Sequence, residues 1–592
     1  MAICKKENRM KTCRFLICMV ALICAMSMFF SCNDAGNGDL PEESGSEGAT
    51  EGAVIDTTGR FSIFMNEEYV CRVICAEQPT DAERELYQKV RDRLKNSTKV
   101  MPERTTDFKA YNDTGEERAK PAILVGRTNY EESKQVYDSL RYGESRIEIV
   151  GNKLVIAFSS LADGERLLQH FRNAVKSTSE GYVSVDAELK ASVNFNEILV
   201  KLPKYPSSDA TALDGGQGSF TVVVPKTDAA TYKTYGETLE AAGYERIASR
   251  EVADNIFDTF ECEGDYVHTY FTAYSESVRI VGGPIAMLAR EDNSSGLEET
   301  YTPYIASIPQ PNDGQGYILR LPDGRFIIHD GGYSGGDRVY KALRELEDGD
   351  ITIAAWFISH PHGDHFPAFI DFISKYGSNG EIKIEKLMLN YAHPTAYDLS
   401  NSAGKENQSA NITKLFNAVK SSAPDLQIVK VHTGQLLSFG SASIEVLYTV
   451  EDILPRTLPN VNDSSLVIRF SVKDQTVMLL ADTCYDSGPI MNDMWGDHLK
   501  SDILQIAHHG IWPSVDSIYH SIQGETVLFP AIRKNAKEYI FDERWGTAMN
   551  AALKYAKDIY ISGDSVDIIE LPHTPTGNKE AMLEELRGEA EG

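Results

Sequence analysis

The densest group of reactive side chains in the chain is the segment 360–365, which reads His-Pro-His-Gly-Asp-His. It places three imidazoles and one carboxylate within six residues, in a loop that Pro and Gly keep out of regular structure. This mixture of nitrogen and oxygen donors suits divalent metals such as Zn²⁺, Mn²⁺ or Fe²⁺. The apolar run 351–358 directly before it predicts a strand buried on both faces, which would deliver the loop to one edge of a sheet.

Two later apolar runs end in the same kinds of side chain. The run 476–481 is followed by Asp482, and the run 502–507 is followed by His508 and His509. Because the ends of neighbouring buried strands meet along one edge of a sheet, these side chains are expected to converge with the histidine loop.

Together these segments resemble the metallo-β-lactamase superfamily, and within it the hydrolase domain of ComEC-type DNA-uptake proteins. The resemblance covers about residues 304–572 and rests on the segments 316–332, 360–365, 462–469, 479–482 and 506–510. It implies an αββα sandwich with a one- or two-metal site at the strand ends. The fold class expected for the chain is therefore α/β, with this sandwich preceded by two small α/β or α+β modules.

The resemblance also implies which side chains bind metal. His360 and His362 would hold a first ion, and Asp364 and His365 a second. Asp482 would bridge the two ions. Zinc is the expected metal, with manganese and iron as alternatives.

Three further roles follow from the same resemblance. One of His508 and His509 would complete the second metal site, and the other would face the substrate and stabilise charge or protonate the leaving group. Asp364 would orient the attacking water while binding metal. Asp330 would brace the histidine loop from behind, although a simple turn residue in Asp-Gly-Gly is an equal alternative.

The sequence departs from the fuller family pattern at a histidine expected between the first loop and Asp482. His393 and His432 are the only histidines in that interval, and each is expected to be a surface-loop residue rather than a ligand. ComEC-like domains often lack this histidine too.

The expected reaction is hydrolysis, because water bound to such a metal loses its proton near neutral pH and becomes a nucleophile. The His-His-Gly form at 508–510 and the missing histidine resemble the phosphodiester-cleaving branch, so a small-molecule or cell-surface phosphodiester is the predicted substrate. A lactonase or β-lactamase-type hydrolase is one alternative. A non-catalytic surface lipoprotein that binds glycan or another polymer is the second.

The amino terminus predicts export. A basic segment, 5–14, precedes the uncharged run 15–30, which is short for a membrane span and typical of a signal sequence. The run ends in Phe-Phe-Ser-Cys, which resembles a lipobox and makes Cys32 the predicted lipidation site. The mature protein would be an extracytoplasmic lipoprotein, membrane-anchored on the cell surface. An uncleaved signal anchor is the alternative, and both place the remaining chain outside the cytoplasm.

Composition shifts divide the rest of the chain. The predicted segments are a signal peptide at 1–31, a flexible tether at 32–57, an α/β accessory domain at 58–203, a small α+β module at 216–300 and the hydrolase domain at 304–575. The accessory domain resembles the amino-terminal domains of several glycoside hydrolases. A Pro-, Ser- and Gly-rich linker is expected at 203–218. The formal net charge of −29 over 592 residues disfavours nucleic acid as a partner.

Overall fold

The structure is a computed structural model that describes residues 59–588 except 109–114, 179–180, 208, 378–381, 401–406 and 513. The predicted signal peptide, the lipidation site Cys32 and the tether lie outside the described residues. Within the described part of the chain, no helix is both long enough and apolar enough to cross a membrane.

The first module is α/β and carries two sheets. Its strands are β1 (Arg60–Met65), β2 (Glu68–Tyr69), β3 (Arg72–Cys75), β4 (Thr105–Thr106), β5 (Ala122–Val125), β6 (Glu144–Val150), β7 (Lys153–Ala157), β8 (Lys176–Ser177), β9 (Val183–Asp186) and β10 (Lys190–Asn194). Its helices are α1 (Asp81–Thr98), α2 (Glu116–Ala119), α3 (Glu131–Ser139) and α4 (Leu161–Ala174). The strand orders are β10-β6-β7-β5-β3-β4 and β2-β1-β9-β8.

The second module is an antiparallel sheet covered by one long helix. Its strands are β11 (Thr211–Gly216), β12 (Ser219–Val224), β13 (Glu245–Val252), β14 (Asn255–Cys262), β15 (Asp265–Thr272) and β16 (Ser277–Pro284), in the order β11-β12-β16-β15-β14-β13, and the helix is α5 (Ala229–Ala241). Strand β11 lies inside the segment predicted to be a linker. It forms because its backbone pairs with the apolar strand β12, which composition alone does not reveal.

The carboxyl-terminal domain contains two large sheets. One has the order β23-β22-β20-β19-β18-β17-β31, with β21 paired to β20, and comprises β17 (Tyr304–Ser307), β18 (Gly316–Arg320), β19 (Phe326–Asp330), β20 (Ile351–Ile358), β21 (Ile382–Ile384), β22 (Lys386–Leu389), β23 (Gln427–Lys430) and β31 (Ile568–Glu570). The other runs in sequence order and comprises β24 (Leu436–Phe439), β25 (Ala442–Tyr448), β26 (Val467–Val472), β27 (Gln475–Leu479), β28 (Ile503–Gln505), β29 (Thr526–Phe529) and β30 (Asp558–Ile561).

Helices flank these two sheets. They are α6 (Gly336–Leu346), α7 (Pro367–Tyr376), α8 (Pro394–Asp398), α9 (Gln408–Ser422), α10 (Ser487–Trp495), α11 (Asp516–Ile522), α12 (Arg533–Ile540), α13 (Gly546–Lys554) and α14 (Lys579–Gly588). Strand β20 shows how the layers form: Phe357 belongs to the apolar layer between the sheets, whereas Trp356 packs edge-on against Phe369 and Phe372 of α7. Successive side chains of a strand point to opposite faces of the sheet. Both faces of β20 are therefore buried, as predicted. The domain is an αββα sandwich, and the predicted α/β fold class is confirmed.

The second module shares its core with the sandwich. Phe257 of β14 stacks on Trp495 of α10, with ring centroids 5.5 Å apart and planes inclined by 10°. The buried Arg279 side chain donates hydrogen bonds to the carbonyl oxygens of Glu451 and Asp452, each at 3.0 Å. Since these contacts are buried, the stability of the sandwich depends on the second module.

This dependence can be measured because all four tryptophans lie in the last 240 residues of the chain, so their fluorescence reports unfolding of the sandwich. Replacing Phe257 with Ala removes a buried ring, and we expect the free energy of unfolding to fall by about 3–5 kcal/mol in urea titrations followed by tryptophan fluorescence. The partly exposed Ile247 on the same sheet is the matched control, for which we expect a loss below about 1 kcal/mol on Ile247→Ala. Equal effects of the two substitutions would show that the module does not support the sandwich.

Candidate metal centre

Four strands of the sandwich end at one site. Asp330 is the last residue of β19, and the histidine loop 360–365 follows the parallel neighbour β20. In the other sheet, Asp482 follows β27, and His508 and His509 follow its parallel neighbour β28. Parallel strands bring their carboxyl ends to the same edge, and the two sheets present these edges side by side.

A first group of potential metal ligands is formed by His360, His362 and Asp482. Each offers one donor atom, and the three atoms lie within 4.8 Å of one another. His360 Nε2 is 3.0 Å from His362 Nδ1 and 3.7 Å from Asp482 Oδ2. His360 and Asp482 are almost fully buried.

A second group contains Asp364, His365, Asp482 and His509, again with donor atoms within 4.8 Å of one another. His365 Nε2 lies 3.2 Å from Asp482 Oδ2 and 3.7 Å from Asp364 Oδ1. His509 Nε2 lies 3.2 Å from Asp364 Oδ2 and 3.6 Å from Asp482 Oδ1. The Asp482 carboxylate therefore belongs to both groups.

The structure separates the two adjacent histidines that sequence alone treats alike. His509 lies in the second group, whereas His508 is in neither. His508 Nε2 accepts a hydrogen bond from Asn462 Nδ2 at 3.0 Å and stays 3.9 Å from Asp482 Oδ2. On its outer side the His508 ring faces the half-exposed Trp512, with centroids 6.1 Å apart. His508 thus forms part of the wall of the site.

Buried hydrogen bonds behind the site orient its imidazoles. His365 Nδ1 donates to Asp330 Oδ2 at 2.8 Å, and the same carboxylate accepts from the backbone N–H and hydroxyl of Ser359. His509 Nδ1 donates to the carbonyl oxygen of Pro530 at 2.8 Å. Because Nδ1 is occupied in both rings, Nε2 is the atom that each ring presents to the second group.

The backbone around the site is strained. Asp330, Ala481, His508 and His509 have φ values of 57°, 48°, 51° and 56°, in the left-handed region that residues other than glycine rarely adopt. Each such residue costs about 1 kcal/mol or more and persists only where the surroundings enforce it. Four of them next to the candidate ligands indicate that the fold holds these side chains in place.

The residues of the second group fit a divalent cation. His365 Nε2, His509 Nε2 and Asp482 Oδ1 are buried and make no hydrogen bond within the described part of the chain. Within the group these atoms have ion-pair contacts of 3.2–3.6 Å in place of hydrogen bonds, and one metal ion would satisfy the imidazole nitrogens and carboxylate oxygens together. The set of donors is also the one that zinc, manganese and iron prefer.

The charges of the second group also favour a cation between its donor atoms. Burial alone would raise the pKa of Asp482, but His365 and His509 hold the pKa of its carboxyl well below the usual range. Burial alone would lower the pKa of His509, but Asp482 and Asp364 raise it to about 10. The two carboxylates thus draw protons onto the imidazoles, and a bound cation would take the place of those protons.

The two histidines between the loop and Asp482 lie apart from the site. His393 is half-exposed, and its Nδ1 contacts Thr395 Oγ1 at 2.8 Å at the start of α8. His432 is buried between Glu451 and Tyr266, with its Nδ1 2.9 Å from a Glu451 oxygen and its Nε2 2.7 Å from the Tyr266 hydroxyl. The expectation of a surface position is wrong for His432, because the second module covers this loop.

Sequence reasoning missed several supporting residues. Ser359 links Asp330 to the histidine loop, Ser465 Oγ accepts a hydrogen bond from the backbone N–H of Asp482 at 3.2 Å, and Pro530 contributes only a carbonyl oxygen. Serine hydroxyls and backbone carbonyls are too common for residue type or spacing to single them out.

No protein-family model and no curated protein sequence matches this chain. Among solved structures, the metallo-β-lactamase fold protein YhfI from Bacillus subtilis is similar at 15% identity, with a TM-score of 0.28, over 44% of this chain and 98% of that chain. CmlA, a diiron β-hydroxylase from Streptomyces venezuelae, is similar at 12% identity and a TM-score of 0.28, over 46% of this chain and 54% of that chain.

A third solved structure, Zn²⁺-bound PqqB from Methylobacterium extorquens, is similar at 9% identity, with a TM-score of 0.26, over 43% of this chain and 87% of that chain. Scores this low indicate neither substrate nor reaction. The αββα assignment therefore rests on the sheet orders, and the candidate metal site on its own side-chain geometry.

Replacing Asp330 with Asn tests the brace behind His365. The two Asp330 oxygens accept hydrogen bonds from the backbone N–H and hydroxyl of Ser359 and from His365 Nδ1, whereas Asn has a single accepting oxygen and no negative charge, so the His365 ring is held less firmly. We expect Zn²⁺ affinity, measured by competition with a chromophoric chelator, to fall about 10–100-fold. Asp337→Asn, at an exposed position on α6, is the matched control and should keep wild-type affinity. Unchanged affinity in Asp330→Asn would show that Asp330 is only a turn residue.

Proposed function

We propose that this protein is a metal-dependent hydrolase that is exported, anchored through a lipid on Cys32, and cleaves a phosphodiester of a small molecule or cell-surface polymer. The observation that carries the proposal is the position of Asp482, whose carboxylate belongs to both groups of potential ligands. Two cations that share a carboxylate form the arrangement that suits in-line displacement at phosphorus.

Each group of residues would hold one ion. His360 and His362 would bind one on one side of Asp482, and Asp364, His365 and His509 would bind the other. Such ions supply Lewis acidity and lower the pKa of water to near neutrality.

The protein's own side chains would orient the reactants. Asp364 is the most exposed member of the second group, with 23% of its side chain accessible, and its Oδ2 contacts His509 Nε2. Its carboxylate can therefore hold the proton of an attacking water at the open side of the site. Asn462 fixes the His508 ring beside the first group, where the imidazole would contact the oxygens of a bound anion.

Two features support the phosphodiester over the other substrates. The first group contains no third histidine, since His393 and His432 lie elsewhere, and this is the pattern that resembles the phosphodiester-cleaving branch. The largely buried His508 and the half-exposed Trp512 lie side by side at the wall of the site and offer an imidazole and an aromatic edge to an anionic ester. A non-catalytic polymer-binding protein, by contrast, has no need for a buried imidazole nitrogen such as His365 Nε2, which faces the Asp482 carboxylate without a hydrogen bond.

Turnover of bis-p-nitrophenyl phosphate tests the reaction. We expect Mn²⁺- or Zn²⁺-dependent turnover by the wild type and a loss of more than about a hundredfold in Asp482→Asn, because a shared ligand to both ions is removed. Asp474→Asn is the matched control. It changes an exposed carboxylate just before β27, at the end of that strand opposite Asp482, and should leave the rate unchanged. Hydrolysis of a lactone or of nitrocefin without hydrolysis of the diester would contradict the proposed substrate class.

Export is tested separately by replacing Cys32 with Ser in the full chain. A lipidated cysteine would hold the protein in the membrane fraction, so we expect Cys32→Ser to lose labelling by an alkyne fatty acid and to leave that fraction. Cys71→Ser, at a buried thiol in the first module, is the matched control and should remain labelled. Equal labelling of wild type and Cys32→Ser would contradict lipidation at this residue.

A further inference from the structure

A second ligand-sized groove lies far along the chain from the metal centre, where the first module meets the segment leading to the second. Its volume is about 530 Å³, within the range of ligand pockets. One wall comes from the first module, at 127, 137–138, 140–144 and 158–159, and the other comes from 204, 207 and 210–212, which lead into β11. Neither wall contributes to the metal centre.

Three cationic side chains line this groove: Arg127, Arg141 and Lys204. Arg141 Nη1 donates to the carbonyl oxygen of Val200 at 2.8 Å, and Lys204 Nζ donates to the carbonyl oxygen of Asp138 at 3.1 Å. These backbone contacts position both cations without neutralising them. Their remaining N–H groups stay available to an anion.

The third cation is also held without a counter-ion. The Arg127 guanidinium lies 4.2 Å from the centre of the Tyr137 ring, a contact that fixes the group but leaves its charge intact. Among the described residues, none of the three cations forms an ion pair with a carboxylate.

The acidic side chains of the groove do not cancel these three cations. Some arginines of the same module pair with carboxylates, as Arg72 does with Glu117 and Arg146 with Glu144. Glu144 also lines the groove, but its carboxylate already accepts from Arg146 and from the backbone N–H of Arg141. Asp138 is the remaining acid, so the lining carries a net positive charge.

We propose that this groove binds an anionic polysaccharide that carries carboxylate or phosphate groups. Arginine guanidinium groups match the geometry of both anions, and the hydroxyl group of Thr211 on the same lining suits a sugar hydroxyl. A single-stranded nucleic acid is disfavoured, because it needs exposed rings for stacking, whereas the rings of Tyr137 and Phe158 are buried. The groove would hold the polymer independently of the hydrolytic site.

Binding of defined polysaccharides by the full chain in detergent tests the proposal. The probes are polygalacturonate for carboxylate, a phosphomannan for phosphate, and dextran as the neutral control. We expect polygalacturonate, phosphomannan or both to bind and dextran not to bind, with affinity that falls as NaCl rises. Arg141→Glu and Lys204→Glu should each weaken binding about tenfold or more, since each exchanges an attractive charge for a repulsive one.

Arg172→Glu provides the matched control, because Arg172 is an exposed arginine on α4 of the same module and outside the groove. It should bind as the wild type does, and all three variants should keep the wild-type melting temperature. Absence of binding to both anionic polymers, equal binding of dextran, or equal weakening by Arg172→Glu would each overturn the proposal. None of these outcomes depends on hydrolytic activity, so failure here is distinguishable from failure of the proposed reaction.

Discussion

A buried negative charge dominates the architecture of the sandwich. The Asp482 carboxylate is 1% exposed, and four imidazoles surround it, those of His360, His365, His508 and His509. An isolated carboxylate at such a position would be strongly destabilising, so the fold must supply compensating positive charge. Protonated imidazoles supply it in part, and bound cations would supply it fully. The strands that end at the site hold these positively charged groups around Asp482.

The supporting layer explains why the arrangement is rigid. The Asp330 carboxylate lies behind His365, Pro530 lies behind His509, and both contacts are buried. These contacts hold each ring by Nδ1 and leave Nε2 for the centre, while left-handed residues turn the chain sharply at the ends of β19, β27 and β28. The left-handed backbone angles and the hydrogen bonds to Nδ1 therefore serve the same purpose, which is to fix the positions of the candidate ligands. The second module covers a further loop of the sandwich, away from the site, as the burial of His432 shows.

Sequence patterns predicted the parts of the site that depend on residue type and chain order. The apolar run of β20 predicted a strand buried on both faces, and the histidine loop after it predicted metal ligands at that edge of the sheet. Sequence could not decide between His508 and His509, because their separation depends on left-handed backbone angles and on Asn462, which is distant in the chain. Strand β11 was missed for a similar reason, since its partner β12 defines it. Long-range pairing and backbone conformation carry information that local composition does not.

The central claim is that one buried carboxylate organises two metal sites, and metal content per chain tests it most directly. Elemental analysis of zinc-loaded protein should give two ions for the wild type, one for His362→Ala and one for His509→Ala, because each of these residues belongs to a single group. Asp482→Ala should bind neither ion tightly, since its carboxylate belongs to both. A wild type without stoichiometric metal, or an Asp482→Ala variant that keeps both ions, would contradict the account.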